Sequence, residues 1–156
     1  MNQATDTAIH RRVEAARAGR DDSVLARCAS GWAVFGRQQV TQGYLLLLPD
    51  PVVPDLNALG AEQRARFLLD MSLLGDALMR ALKPLRINYA IYGNLEPALH
   101  AHVIPRYMHE PEALRTQQPW AYDWNQAPVF DAVAAVPLMN KLRVELEKLG
   151  ALRKPW

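Results

Sequence analysis

The segment Ala61–Leu82 constrains this chain more than any other. Phe67, Met71, Leu74 and Leu78 recur at i, i+4, i+7 and i+11, one apolar face of a long helix. Such a face needs a sheet to lie on, and alternating segments on either side supply one. In residues 31–40, Trp32, Val34 and Gly36 oppose Ala33, Phe35 and Arg37. A turn at Gln42-Gly43 then leads into the wholly apolar residues 44–48, which end at Pro49. That pattern predicts a hairpin. Beyond the helix, residues 86–92 alternate again, with Asn88, Ala90 and Tyr92 on one face and Ile87, Tyr89 and Ile91 on the other. Gly93-Asn94 breaks this strand and residues 98–107 supply its partner. A short amphipathic helix over residues 7–19 (Ile9, Val13, Ala16) precedes them all. The order helix, hairpin, helix, hairpin predicts an α+β domain, an antiparallel sheet with its helices on one side.

The rest of the chain is less periodic. Residues 107–129 contain three prolines together with Trp120, Tyr122 and Trp124. Aromatics this dense predict an ordered wrap, packed on the body or on a second subunit. A closing helix starts near Asp131 or Pro137, with Leu138, Leu142, Val144, Leu146 and Leu149 on its apolar side. At 156 residues a single domain is expected. A net charge of +2 is too small to argue for polymeric nucleic acid. No apolar run approaches the roughly 20 residues of a membrane span, and the polar amino terminus carries no secretory signal. A cytoplasmic protein is expected. The lone Cys28 is compatible with a reducing compartment and reads as a small apolar residue.

Chemistry concentrates in residues 98–107. On a strand, Ala98, His100, His102 and Ile104 share one face, while Leu99, Ala101 and Val103 point into a core. Two imidazoles side by side admit three chemistries. A neutral imidazole, with an unperturbed pKa of about 6.5, can attack phosphorus while its neighbour hydrogen-bonds the phosphate oxygens. The pair can bind a metal, given a third ligand from His10, His109 or Glu110. It can also act in general acid–base catalysis, although no partner carboxylate stands nearby in sequence.

Leu99-His100-Ala101-His102-Val103-Ile104-Pro105-Arg106 resembles the signature of the histidine-triad (HIT) superfamily, in which three histidines alternate with apolar residues, often before Pro-Arg. Gly93-Asn94 falls where that family usually has Gly-Gln or Gly-Asn, and Asn88 falls near its strand asparagine. The segment 32–44, ending in Gly43-Tyr44, resembles its first hairpin. Residues 55–59 occupy the place of the loop into its long helix. The resemblance spans roughly residues 28–107. It implies a HIT-like antiparallel sheet with a long amphipathic helix packed on it, and a domain core over residues 28–110. Residues 1–27 form an N-terminal helical extension, and residues 111–156 a Trp-rich segment and helix packed in the same domain.

The resemblance also implies a function. The expected activity is hydrolysis of a dinucleoside polyphosphate or a nucleoside phosphoramidate through a nucleotidyl-histidine intermediate on His100. His102 binds the phosphate, and no cofactor or metal takes part. Asn94 would hydrogen-bond the phosphate or leaving group, Asn88 would fix the phosphate end, Arg106 would neutralise charge, and Tyr44 would line the nucleoside pocket. For residues 120–124 the alternative to packing is stacking on a base or covering that pocket. The partner is a small-molecule nucleotide, and a homodimer is expected. Two departures stand out. Ala98 replaces the first histidine, which implies weaker or narrower activity, and Gly36 stands where many members have a polar residue near the ribose. The alternatives are a nucleotide-binding module that has lost the reaction and a metal-binding protein using the His100/His102 pair.

Overall fold

The computed structural model describes residues 6–154, so the outermost parts of the expected N-terminal extension and C-terminal segment lie outside the described residues. In chain order the strands are β1 (Val24–Arg27), β2 (Gly31–Phe35), β3 (Leu45–Pro49), β4 (Arg86–Ile91) and β5 (Ala101–Arg106). The helices are α1 (Ala8–Arg17), α2 (Ala61–Leu82), the single turn α3 (Glu112–Arg115) and α4 (Val136–Lys148). The strands form one antiparallel sheet in the order β1-β2-β3-β5-β4. Among the described residues no helix is long and apolar enough to cross a membrane.

The expected α+β architecture and both hairpin pairings are present. β2 meets β3 with Gly31 opposite Pro49 and Phe35 opposite Leu45, and β4 meets β5 with Arg86 opposite Arg106 and Ile91 opposite Ala101. α2 has the extent read from its periodicity. Its Phe67, Leu74 and Leu78 are wholly buried with Met139, Leu142 and Leu146 of α4 against Ala33, Phe35, Leu45, Leu47, Ala101 and Val103 of the sheet. Each such Leu or Phe contributes about 1.5–3 kcal/mol by leaving water.

Four features differ from the sequence reading. The helices do not all lie on one side. α1 packs Ile9, Val13 and Ala16 against the opposite sheet face, on Trp32, Val34, Leu46 and Leu48. The physical reason lies in β3, whose five residues are all buried; a strand apolar on both faces needs a layer on each side. Residues Val24–Arg27, within the segment read as helical, form an edge strand on β2. β2 stops at Phe35 instead of continuing to residue 40, and β5 begins at Ala101 instead of residue 98. Alternation nevertheless persists upstream of β5: Leu99, Ala101 and Val103 enter the core under α2, and Ala98 and Ile104 the core under α1.

Pro105 is tolerated in β5 because of where pairing ends. β3 pairs β5 only as far as Val103, so beyond it β5 is bonded on its β4 side alone. A proline there removes no ladder hydrogen bond from the β3 side.

Candidate functional site

His100 and His102 sit where β5 emerges from the loop 92–100. His102 is paired between Leu46 of β3 and Ala90 of β4, so its backbone is fixed on both sides. The two imidazole rings lie 4.9 Å apart at 70°. Both line a cavity of about 390 Å³, together with Tyr92, Gly93, Asn94, Leu95, Glu96 and Trp120.

Each histidine has one ring nitrogen engaged, and the engagements are of opposite kind. Nδ1 of His100 is 2.7 Å from the carbonyl oxygen of Ala98. A carbonyl only accepts, so Nδ1 carries the proton and donates it. Nε2 then holds the lone pair, and it has no hydrogen-bond partner among the described residues. Nδ1 of His102 is 2.7 Å from the Tyr44 hydroxyl. Burial pushes the Tyr44 phenol well above its ordinary pKa, so it stays protonated. It has no other hydrogen-bond partner among the described residues and donates to Nδ1, which assigns the proton of His102 to Nε2. Burial, and then the neighbouring His100, push the pKa of His102 down to about 4. The neutral form of His100 therefore presents Nε2 with a free lone pair to the cavity, beside the N–H of a neutral His102.

Tyr44, read as a nucleoside-pocket residue, is buried and does not line the cavity. It acts behind His102. Its ring is stacked on that of His102 at 5.9 Å and takes Trp124 edge-on at 5.4 Å. Gly36 is glycine because a Cβ there would run into the Tyr44 ring. The small residue read as a departure near the ribose thus makes room for the tyrosine that holds His102.

Asn94 is exposed on the cavity wall. Asn88 and Arg106 are not brought to the histidines. Arg106 is buried, with its side chain only 4% exposed, and its Nε donates to the Glu110 carboxylate at 3.0 Å. Its terminal nitrogens donate to Asn88 Oδ1, Gln117 O and Leu114 O. A guanidinium neutralised and hydrogen-bonded in this way is unavailable to a phosphate. It ties residues 110–117 to β4 and β5 instead. The three further ligands considered for a metal pair are also engaged elsewhere: Glu110 faces Arg106, His109 stacks on Tyr107 at 4.9 Å, and His10 closes a capping box with Thr7 at the start of α1. Among the described residues no group of three or more His, Cys, Asp or Glu is placed to hold a metal ion.

Sequence reading favoured packing for Trp120 over stacking on a base or covering the pocket, and did not single out Tyr92 or Glu96. Trp120 lies 5.2 Å from the His102 ring and 4.9 Å from the Tyr92 ring, both edge to face, and stacks on Trp124 at 5.7 Å. Glu96 joins the cavity to the amino-terminal helix, since its Oε2 accepts from the N–H of Ala8 in the first turn of α1 at 3.1 Å. A carboxylate at that position suits the helix dipole. The aromatic density of residues 120–124 was the available signal for Trp120; for Glu96 there was none.

No family model matches this sequence, and no curated protein does. Solved structures do. A histidine triad protein from Bradyrhizobium japonicum is 24% identical, with a TM-score of 0.67 over 78% of this chain and 88% of its own. One from Marinobacter aquaeolei is 23% identical, with a TM-score of 0.69 over 92% and 98%. A hypothetical histidine triad nucleotide-binding protein from Sulfolobus tokodaii is 15% identical, with a TM-score of 0.68 over 88% and 91%. At these identities the likeness concerns the backbone alone. The chain has the fold of the histidine-triad proteins.

Proposed function

We propose that this protein binds a nucleotide and transfers its nucleotidyl group to water or another acceptor through a nucleotidyl intermediate on His100. The observation that carries the reading is the bond from His100 Nδ1 to the Ala98 carbonyl, which leaves Nε2 as a nucleophile in the cavity. Nε2 attacks the α-phosphorus, a P–N bond forms, and the bond from phosphorus to the leaving group breaks. The leaving group departs with the bonding electron pair and takes up a proton from solvent. Positive charge then develops on the imidazole, and the Ala98 carbonyl stabilises it through the same hydrogen bond. Water attacks the intermediate, releases the nucleotide and returns His100 to its neutral form. His102 Nε2–H and the Asn94 amide donate to the non-bridging oxygens. A donor aimed at that charge in a dry site lowers the barrier by about 3 kcal/mol.

Dinucleoside polyphosphates and nucleoside phosphoramidates are the substrate classes to present. The test is turnover of adenosine 5′-phosphoramidate and diadenosine tetraphosphate by the wild type and by His100→Ala. Turnover abolished by that substitution supports the reading. Nucleotide binding with no turnover by the wild type supports the binding module instead.

The expected homodimer fits the open side of the sheet. β4 is paired on one edge only, and Leu85 and Tyr89 beside it are 48% and 43% exposed. An unpaired edge flanked by apolar side chains is a template for a second copy. Light scattering with a Tyr89→Lys variant tests it, a monomeric variant being the expected result. A cytoplasmic setting accords with Cys28, buried and unpaired, whose thiol is pushed up to about 12 by burial and so kept unreactive.

A further inference from the structure

The wall of the histidine cavity holds two large aromatic side chains that the phosphoryl chemistry does not use. Tyr92 is 51% exposed and Trp120 is 42% exposed, and Leu95 at the mouth is fully exposed. Exposed aromatics of this size, grouped around two histidines, need an explanation beyond packing. They are exposed without being loosely held. Trp120 rests on Trp124, whose indole N–H donates to the Pro119 carbonyl at 3.1 Å, and Trp124 in turn meets the Tyr44 ring. The segment carrying both tryptophans is pinned by the buried Arg106–Glu110 pair, and Tyr122 donates to that same carboxylate at 2.8 Å. An aromatic ring held this rigidly loses little freedom when something stacks on it.

The cavity wall combines two kinds of surface. His100, His102 and Asn94 present polar groups, and the Trp120 and Tyr92 rings stand beside them, 5.2 and 6.3 Å from the His102 ring. No lysine or arginine lines it and its one carboxylate is Glu96, so affinity for an anion cannot come from charge alone. A ligand that meets both kinds of surface has a phosphoryl group attached to a planar ring system.

Resting on the nucleotide reading above, we infer that Trp120, with Tyr92, is the specificity-determining platform of the site and stacks the planar ring of the substrate while its phosphorus faces His100. Trp120 thus selects ring-bearing phosphoryl compounds over sugar phosphates that lack the ring. Base–aromatic stacking is tolerant of ring identity, because every base has a π-face. The platform accordingly favours a ring without strongly choosing among bases.

Calorimetric titration separates this inference from the reading it rests on, because it needs no turnover. The probes are adenosine 5′-monophosphate and ribose 5-phosphate, which share the phosphate and pentose and differ in the ring. The full chain is expected to bind the nucleotide about tenfold or more tightly than the sugar phosphate. Trp120→Leu is expected to remove that preference while leaving ribose 5-phosphate affinity unchanged, and Trp120→Phe to retain part of it. Equal affinities for the two probes in the wild type, or an equal loss for both in Trp120→Leu, overturn the stacking role and leave the phosphate site standing. Failure of both probes to bind overturns the stacking role and the nucleotide reading together. Circular dichroism of each variant confirms that the fold is retained, and Tyr92→Leu, on a different element, repeats the test if Trp120→Leu does not fold.

Discussion

Acid should destabilise this protein through one side chain, and the size of the effect can be worked from the site. His102 is more than half-buried beside His100 and accepts from Tyr44, an environment suited to a neutral ring. Its pKa falls from 6.5 to about 4 on folding. The unfolded chain therefore binds a proton between those values that the folded chain refuses. Stability from this group is complete above about pH 6.5, declines as the pH falls, and is gone at about pH 4. The lost amount is about 3 kcal/mol, at about 1.4 kcal/mol for each pH unit between the two values. Asp21 and Asp50, both held below the usual carboxylate range, lose their contribution at more acid pH. Asp21 is held by hydrogen bonds from Ser23 with Arg12 and Arg37 nearby, against the opposing pull of burial, and Asp50 is held chiefly by Arg17. Urea unfolding at intervals from about pH 7.5 to about pH 4, for wild type and His102→Gln, isolates the histidine. Gln has no proton to gain, so the stability gap between the two proteins should shrink by about 3 kcal/mol across the range. Parallel curves would refute the assignment of a suppressed proton affinity to His102.

Three further substitutions test the layers behind the site. Tyr44→Phe removes the donor to His102 Nδ1 and should cost about 1–3 kcal/mol in urea unfolding; ¹⁵N imidazole spectra should show His102 no longer held in its Nε2–H form. Gly36→Ala drives a methyl into the Tyr44 ring and should cost about 1–3 kcal/mol, with the same spectral change at His102. Arg106→Ala leaves Glu110 buried without its cation, which should cost about 3–5 kcal/mol and open residues 107–122 to limited proteolysis before the sheet unfolds.

Much of this architecture was legible because the signals are local. α2, β2, β4 and β5 each carry their own period, β3 is a short apolar run bounded by a turn and a proline, and a hairpin needs only a turn between two such segments. The His100/His102 geometry followed from strand alternation alone. What could not be read were meetings between distant residues. Tyr44 and His102 are 58 positions apart, and nothing in either neighbourhood says that the phenol fixes the imidazole tautomer. Arg106 stands in the right motif for a phosphate ligand. Its carboxylate partner, four residues on in a loop, removes it from that role. The second helical layer had a legible sign in the unbroken apolar run of β3, which a strand with one wet face would not carry. β1 had none, because four residues are too few to establish a period.

The most direct test of the central claim is a search for the covalent intermediate. The protein is mixed with a nucleoside phosphoramidate, quenched within the first turnover in alkali to preserve the acid-labile P–N bond, digested and weighed by mass spectrometry. The account predicts a nucleoside monophosphate adduct on the peptide containing His100, localised to that ring by fragmentation and absent from His100→Asn. Turnover with no adduct, or an adduct on His102, would contradict it.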